Sequence, residues 1–546
     1  MSASQASRIA RLFACALCTC SVGFVALFLV IAVLRISYPF ELEWMEGGTV
    51  DHVRRILDGK PLYVPPSLDF VPYLYTPLYF YVSAAVAKVT GIGFFPLRLV
   101  SLTAALGSVV LIAVFIRRHS RSSVAAIAGA GLFAATYALS GSWLDIARVD
   151  SLFLVFLLAA VYLVARRGSH ATYLLAGLML ALSFLCKQSA LVLLAPLALY
   201  LLAVDWKRAL YFVASAGGLI IASSLALNHL HQGWYRYYVL DVPRSHNTIR
   251  RMYVDFWTED LLRNLPLVCL VAAGFFLVRR SRTQVRSSSH AARRPRREPP
   301  AVRSALSPEG PGGPAQVGSM TASSVQNPEK SRRESLVRGE RPRMSRPFLA
   351  LLGVGMLGCS WLGRLHAGGG FNVLLPAYAF LAIAFGCALA VFQERLGPKL
   401  RAGLYAIGVL QFLLLIYDPA AQVPKESDRL AGHEFIDKMA RLEGEIYVPS
   451  HGYLPLLAGK RPLAHEAAIA DLVNHGGGEP ARRLADEFLR AVRSHRFAAI
   501  IMDDTGIPWF EKFYVTSGRI FDNDSVFFPV TGRHSRPELL LTPVPP

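Results

Sequence analysis

The chain has 546 residues, 53% hydrophobic and 17% charged, with a formal net charge of +20 and a mean hydropathy of +0.39. A soluble domain of this length is seldom so apolar, and repeated apolar runs of about 15 to 22 residues define a polytopic helical membrane protein instead. The excess positive charge does not make it a nucleic-acid binder, because much of that charge sits in one low-complexity stretch.

In chain order, Arg8 and Arg11 place the N-terminus in the cytoplasm, and residues 17–36 cross outward. That run has no clear small-residue cleavage site and reads as a retained span. Further spans are expected at 97–116, 124–141, 151–165, 173–185, 190–204, 209–227, 261–278, 347–362, 373–392 and 402–417. Basic clusters at 117–121, 166–167, 207–208, 279–346 and 399–401 mark the cytoplasmic turns. The stretch 173–204 is too long for one span and basic at both ends, so it is read as two short helices with Lys187 near the outer turn. The apolar stretch 76–89 would reverse the charge pattern if it crossed. It is expected to lie in the outer leaflet, with Tyr75, Tyr79 and Tyr81 at the interface.

Residues 279–346 hold 15 Arg and 1 Lys against 5 Glu, a net +11, amid Ser, Pro and Gly without periodicity. This reads as a disordered cytoplasmic insert. Cys15, Cys18, Cys20, Cys186, Cys269, Cys359 and Cys387 all lie in or beside apolar runs, so no disulfide framework is implied. After the last span the composition changes. Residues 446–449 and 497–502 are β-like and a helical pattern lies near 480–494. The expected organisation is an all-α polytopic membrane domain, 1–418, with about 11 transmembrane helices. A small extracytoplasmic α/β domain, 419–546, follows it.

The outward-facing polar residues carry the functional signal. Glu41, Glu43 and Glu46 follow the first span, where carboxylates are costly unless they meet water, a metal or a cation. An amphipathic helix follows at 49–57, with Val50, Val53, Ile56 and Leu57 opposite Asp51, Arg54 and Arg55. The turn Asp58, Gly59, Lys60, Pro61 ends it, and Tyr75, Thr76, Pro77, Leu78 and Tyr79 come after a gap. Asp145 and Asp150 lie in the next outer turn. Asp150 opens a span, a position that a helix N-cap paired locally with Arg148 also explains. Lys187 interrupts an apolar stretch and needs a partner or an aqueous cavity. The segment 361–372 contains Arg364, His366, three consecutive glycines and Asn372. Arg364 offers a donor fork suited to phosphate, and His366 and Asn372 offer hydrogen bonds to a sugar. Arg244 and His246 lie in the central outer loop with Tyr235, Tyr237, Tyr238 and Trp257, which suit sugar stacking or interface anchoring. No His/Cys metal spacing and no phosphate-cradling Gly-Lys-Ser loop is present.

Over residues 17–417 this order of elements resembles the GT-C class of integral membrane glycosyltransferases, near the dolichyl-phosphate-mannose protein mannosyltransferase and aminoarabinose-transferase-like families. The chain departs from the common Asp-Glu pair by offering Glu-x-Glu-x-x-Glu. The resemblance implies a sugar donor linked through phosphate to a polyprenol and a glycan, lipid or protein hydroxyl as acceptor. It also implies chemistry at the outer face of a multi-pass protein in the plasma membrane. Glu43 best fits the spacing to Gly59 as catalytic base, with Glu46 next. Asp150 matches the second outer acid, Lys187 and Arg364 are the phosphate candidates, and Tyr75, Arg244, His246 and His366 are substrate-binding candidates. The sequence requires no cofactor, and a divalent cation between Asp150 and a first-loop Glu stays open. The competing reading, a lipid-linked sugar flippase or transporter, needs polar residues through the bilayer depth and repeat symmetry.

Overall fold

A computed structural model describes residues 2–166, 168–277, 345–475, 478–503 and 512–545. The described residues outside 276–343 form one compact unit. The expected insert lies outside the described residues, apart from its last two positions.

The first nine helices are α1 (Ala3–Arg35), α2 (Glu46–Leu57), α3 (Leu78–Thr90), α4 (Phe94–Ser120), α5 (Ser123–Ala135), α6 (Asp150–Arg166), α7 (His170–Cys186), α8 (Leu191–Val204) and α9 (Trp206–Leu230). Ser2 and Gln5 form a capping box that starts α1. This helix packs on α5 and on the helix Pro398–Leu414. Close approach depends on small residues: a Cβ on Gly131 would lie 2.4 Å from Ser21 Cα, and one on Gly408 would lie 2.9 Å from Leu17.

Each expected span overlaps a helix, but the helix in 124–141 ends at Ala135 and 261–278 is broken between Leu262 and Pro266. Among the described residues, α1, α4, α9, Arg346–Leu365 and Phe371–Arg395 are long and apolar enough to cross a membrane. The pair Met252–Leu262 and Pro266–Leu277, bent by 98°, adds a sixth if taken as one span. The helices α3, α5, α7 and Gln188–Val204 are apolar but shorter. Between α7 and α8 the backbone at Lys187 is extended, φ −154° and ψ 125°. The long run 173–204 is therefore broken at its lysine. Helix α2 buries Val50 and Val53 completely and leaves Arg54 and Arg55 partly exposed, but it also buries Asp51 and leaves Ile56 and Leu57 partly exposed, so the amphipathic split read from its sequence holds only in part.

Near the C-terminus, β1 (Ile446–Tyr447), β2 (Ala499–Met502), β3 (Tyr514–Arg519) and β4 (Leu539–Pro543) form one sheet in the order β1-β2-β4-β3. Strands β1 and β2 are parallel, and the other pairs antiparallel. Strand alternation gives the sheet two apolar faces. Ile446, Ala499 and Ile501 join Phe435 and Met439 on one side. Tyr447, Ile500 and Met502 join Val492 and Phe497 on the other. Each cluster also takes a residue from the stretch between α1 and α3, Phe40 in the former and Leu68 in the latter. The segment after α1 is thus packed into the cores of the C-terminal sheet.

Candidate active site

Two buried arginines shape the C-terminal end of α1 and the N-terminal end of α4. Arg35, the last residue of α1, pairs with Asp145 at 2.6 Å and donates to the Ser142 carbonyl at 2.6 Å. Arg98, near the start of α4, donates to the Tyr38 and Phe40 carbonyls, each at 2.6 Å. It also holds Glu46 through Nε at 3.1 Å and Nη2 at 2.6 Å. The remaining acceptor positions of Glu46 take the backbone N–H groups of Leu42 at 2.7 Å and Ala147 at 2.6 Å. Burial opposes ionisation here, but Arg98 and the backbone donors hold the Glu46 carboxyl below its ordinary range.

Glu43, three residues earlier, has a different environment. Its Oε2 accepts from Arg148 Nη1 at 3.1 Å, and the residue is 1% exposed. Burial dominates over the Arg148 charge and pushes the carboxyl up to about 7. Two neighbouring acids driven apart in this way take different roles, and a carboxylate poised near neutrality suits a general base.

Arg148 turns to Glu43, while Asp150, the first residue of α6, takes other partners. Arg148 Nη2 also donates to the Tyr75 hydroxyl at 3.0 Å. On the far side of Tyr75, Lys187 Nζ lies 6.0 Å from the ring centre and donates to Asp150 Oδ1 at 2.6 Å. Asn372 Nδ2 donates to the same oxygen at 3.0 Å. Thr76 Oγ1 donates to the Phe184 carbonyl at 2.7 Å, and Gln188 Nε2 to the Leu74 carbonyl at 2.7 Å, so the segment around Tyr75 is fixed against the α7–α8 break. Glu43, Tyr75, Asp150 and Lys187, four of the residues singled out from sequence, therefore form one connected array with Arg148 and Asn372.

The other candidates lie elsewhere. Arg364 makes a bidentate pair with Asp260, Nε to Oδ2 at 2.7 Å and Nη2 to Oδ1 at 3.2 Å. Its Nη1 donates to the Gly369 carbonyl at 2.9 Å, so its fork is committed to protein acceptors. His366 stacks on His246 with ring centres 4.4 Å apart, and His246 lies 4.3 Å from His475. Burial, then the His366 and His475 rings, lowers the His246 imidazole to about 4. Arg244 is exposed, on the short helix Val242–Ser245. Among the described residues, no group of three or more His, Cys, Asp or Glu side chains has metal-holding geometry.

The role of Arg98 escaped the sequence reading, although a charge within an apolar run is a signal in itself. Asp260 was hidden among other loop polar residues.

This arrangement belongs to a known architecture. The fold is GT-C-like and is shared with a protein solved in two states. Residues 72–227 match the family model for dolichyl-phosphate-mannose-protein mannosyltransferase. The crystal structure of ArnT from Cupriavidus metallidurans bound to undecaprenyl phosphate is similar, with a TM-score of 0.55 at 14% identity, covering 96% of this chain and 97% of that one. The apo state of the same protein gives a TM-score of 0.52 at 14% identity, over 95% and 97%. Comparison with curated protein sequences returns no match.

Proposed function

We propose that this protein is a glycosyltransferase that moves a sugar from a polyprenyl-phosphate donor to a hydroxyl of a glycan, lipid or protein at the outer face of the plasma membrane. The observation that carries this reading is the connected array of Glu43, Arg148, Tyr75, Lys187, Asp150 and Asn372. It sits in a fold shared with a protein solved with undecaprenyl phosphate bound.

In the proposed reaction the acceptor oxygen attacks the anomeric carbon of the donor sugar. The new C–O bond forms as the bond from that carbon to the phosphate oxygen breaks. The electron pair leaves with polyprenyl phosphate, and the acceptor proton passes to the Glu43 carboxylate. General-base assistance of this kind contributes about 10²–10⁴-fold. Lys187 and Arg148 supply the positive charge that stabilises the leaving phosphate, and Asp150, itself held by Asn372, keeps Lys187 in place. Glu46 supports the loop from beneath, since its oxygens are all occupied. Arg364 acts through its loop, which it ties to Asp260.

The N-terminus is assigned to the cytoplasm and residues 419–546 to the extracytoplasmic side, which puts the array at the outer leaflet. The direct test incubates the purified protein with a panel of polyprenyl-phosphate sugars and follows released carrier by mass spectrometry. Release of carrier coupled to a new glycosidic product supports the reading. Translocation of donor across a vesicle without product would favour the transporter.

A further inference from the structure

The C-terminal region grips the acidic loop at each residue from Glu41 to Trp44. His451, on the short helix Pro449–His451, meets Glu41 through Nδ1 and Asp503, at the end of β2, through Nε2 at 3.2 Å. All three side chains are buried. The Thr531 N–H donates to the Leu42 carbonyl at 3.1 Å, and Thr531 and Glu43 form a parallel β-bridge. His465 Nε2 contacts the Trp44 carbonyl at 3.0 Å, and its ring lies 5.1 Å from the indole. Gly532 sits at φ +80°, and a Cβ there would come within 2.8 Å of Glu43 Cγ.

We infer that the C-terminal α/β region is a positioning element for the transfer reaction, and that His451 is its key residue. An imidazolium between Glu41 and Asp503 fixes the loop whose next acid is the proposed base. The inference deepens the glycosyltransferase reading and rests on Glu43 being that base.

Three observations support it. Glu41 and Asp503 come from segments far apart in sequence and meet one imidazole, so loss of His451 breaks the link between them. Burial works against the charge on His451, but Asp503 and Glu41 outweigh it and raise the imidazole to about 10, while burial raises the Glu41 carboxyl against the pull of His451. Finally, Gly532 leaves Glu43 no room on that side, so the position of the 531–532 backbone is transmitted directly to the carboxylate.

The test uses the full-length protein in nanodiscs, with two variants and two readouts. His451→Gln is expected to speed amide exchange in 41–46 and at 531. It should lower kcat by about 100-fold, the loss that a displacement of about 1 Å in a reacting group produces, while KM for the lipid donor stays near the wild-type value. Gly532→Ala, which leaves the His451 contacts intact, should lower kcat in the same way. If His451→Gln does not fold, Gly532→Ala decides. Wild-type kcat in Gly532→Ala, or wild-type exchange and kcat in a folded His451→Gln, overturns the inference. The two readings fail separately. A fully active Glu43→Gln removes the base assignment, whereas an inactive Glu43→Gln beside fully active His451→Gln and Gly532→Ala removes the clamp alone.

Discussion

Lys187 Nζ lies 2.6 Å from Asp150 Oδ1, while Asp150 Oδ2 is buried and has no hydrogen-bond partner among the described residues. Lys187 is oriented by Asp150 Oδ1, which also accepts from Asn372 Nδ2. A second anion at this point, such as a lipid phosphate, would meet a cation already held in place.

Lys187→Met should accordingly weaken binding of polyprenyl phosphate by about 10–100-fold, the value of one hydrogen bond to a charged group. Native mass spectrometry with titrated lipid measures this. Wild-type affinity in that variant would separate Lys187 from phosphate recognition.

The pH dependence follows from Glu43. Its carboxyl is raised to about 7, with burial the main cause. A base must be ionised to accept a proton, so kcat/KM should rise with pH up to about 7 and then level. Glu46, held below the ordinary carboxylate range by Arg98 despite its burial, should add nothing to this limb. An acid limb that stays in place in Glu43→Asp and Arg148→Lys would assign it to another group.

The neighbouring acids should also separate by phenotype. Glu46→Gln removes one partner of a fully buried pair with Arg98, a loss of about 3–5 kcal/mol, and should lower the melting temperature in detergent. Because the folded value of Glu46 is depressed, its contribution to stability is present above the ordinary carboxylate pKa and lost as pH falls through the folded one. The acid sensitivity of the wild type should therefore shrink in Glu46→Gln. Glu43→Gln should instead lose transfer while lipid binding persists.

Arg364→Lys keeps the charge but not the fork that Asp260 receives. It should loosen residues 366–372, seen as faster amide exchange. It should weaken binding of lipid phosphate less than Lys187→Met does. A larger loss of lipid affinity would mean that Arg364 touches the phosphate itself.

Much of this was legible in the sequence, for identifiable reasons. Apolar runs and basic turns located the helices because bilayer thickness and charge bias act locally along the chain. The break near Lys187 was legible because the run 173–204 is too long for one span and basic at both ends. Glu43, Asp150, Lys187 and Tyr75 stood out as polar residues at apolar borders. The pairings did not. Arg148 sits beside Asp150 in sequence yet reaches Glu43, more than a hundred residues away. Arg364 looked like a phosphate fork until its partner Asp260 was in view. His451 gave no local signal, since its meaning lies in two acids on distant segments. Long-range ion pairs have no periodicity, so a single sequence exposes the charged residues but not their partners.

The most direct test of the central claim is single-turnover sugar transfer by Glu43→Gln, with binding of the polyprenyl-phosphate carrier measured on the same sample. The account predicts retained carrier binding and a fall in transfer of about 10²–10⁴-fold. Transfer at the wild-type rate with carrier bound would contradict it.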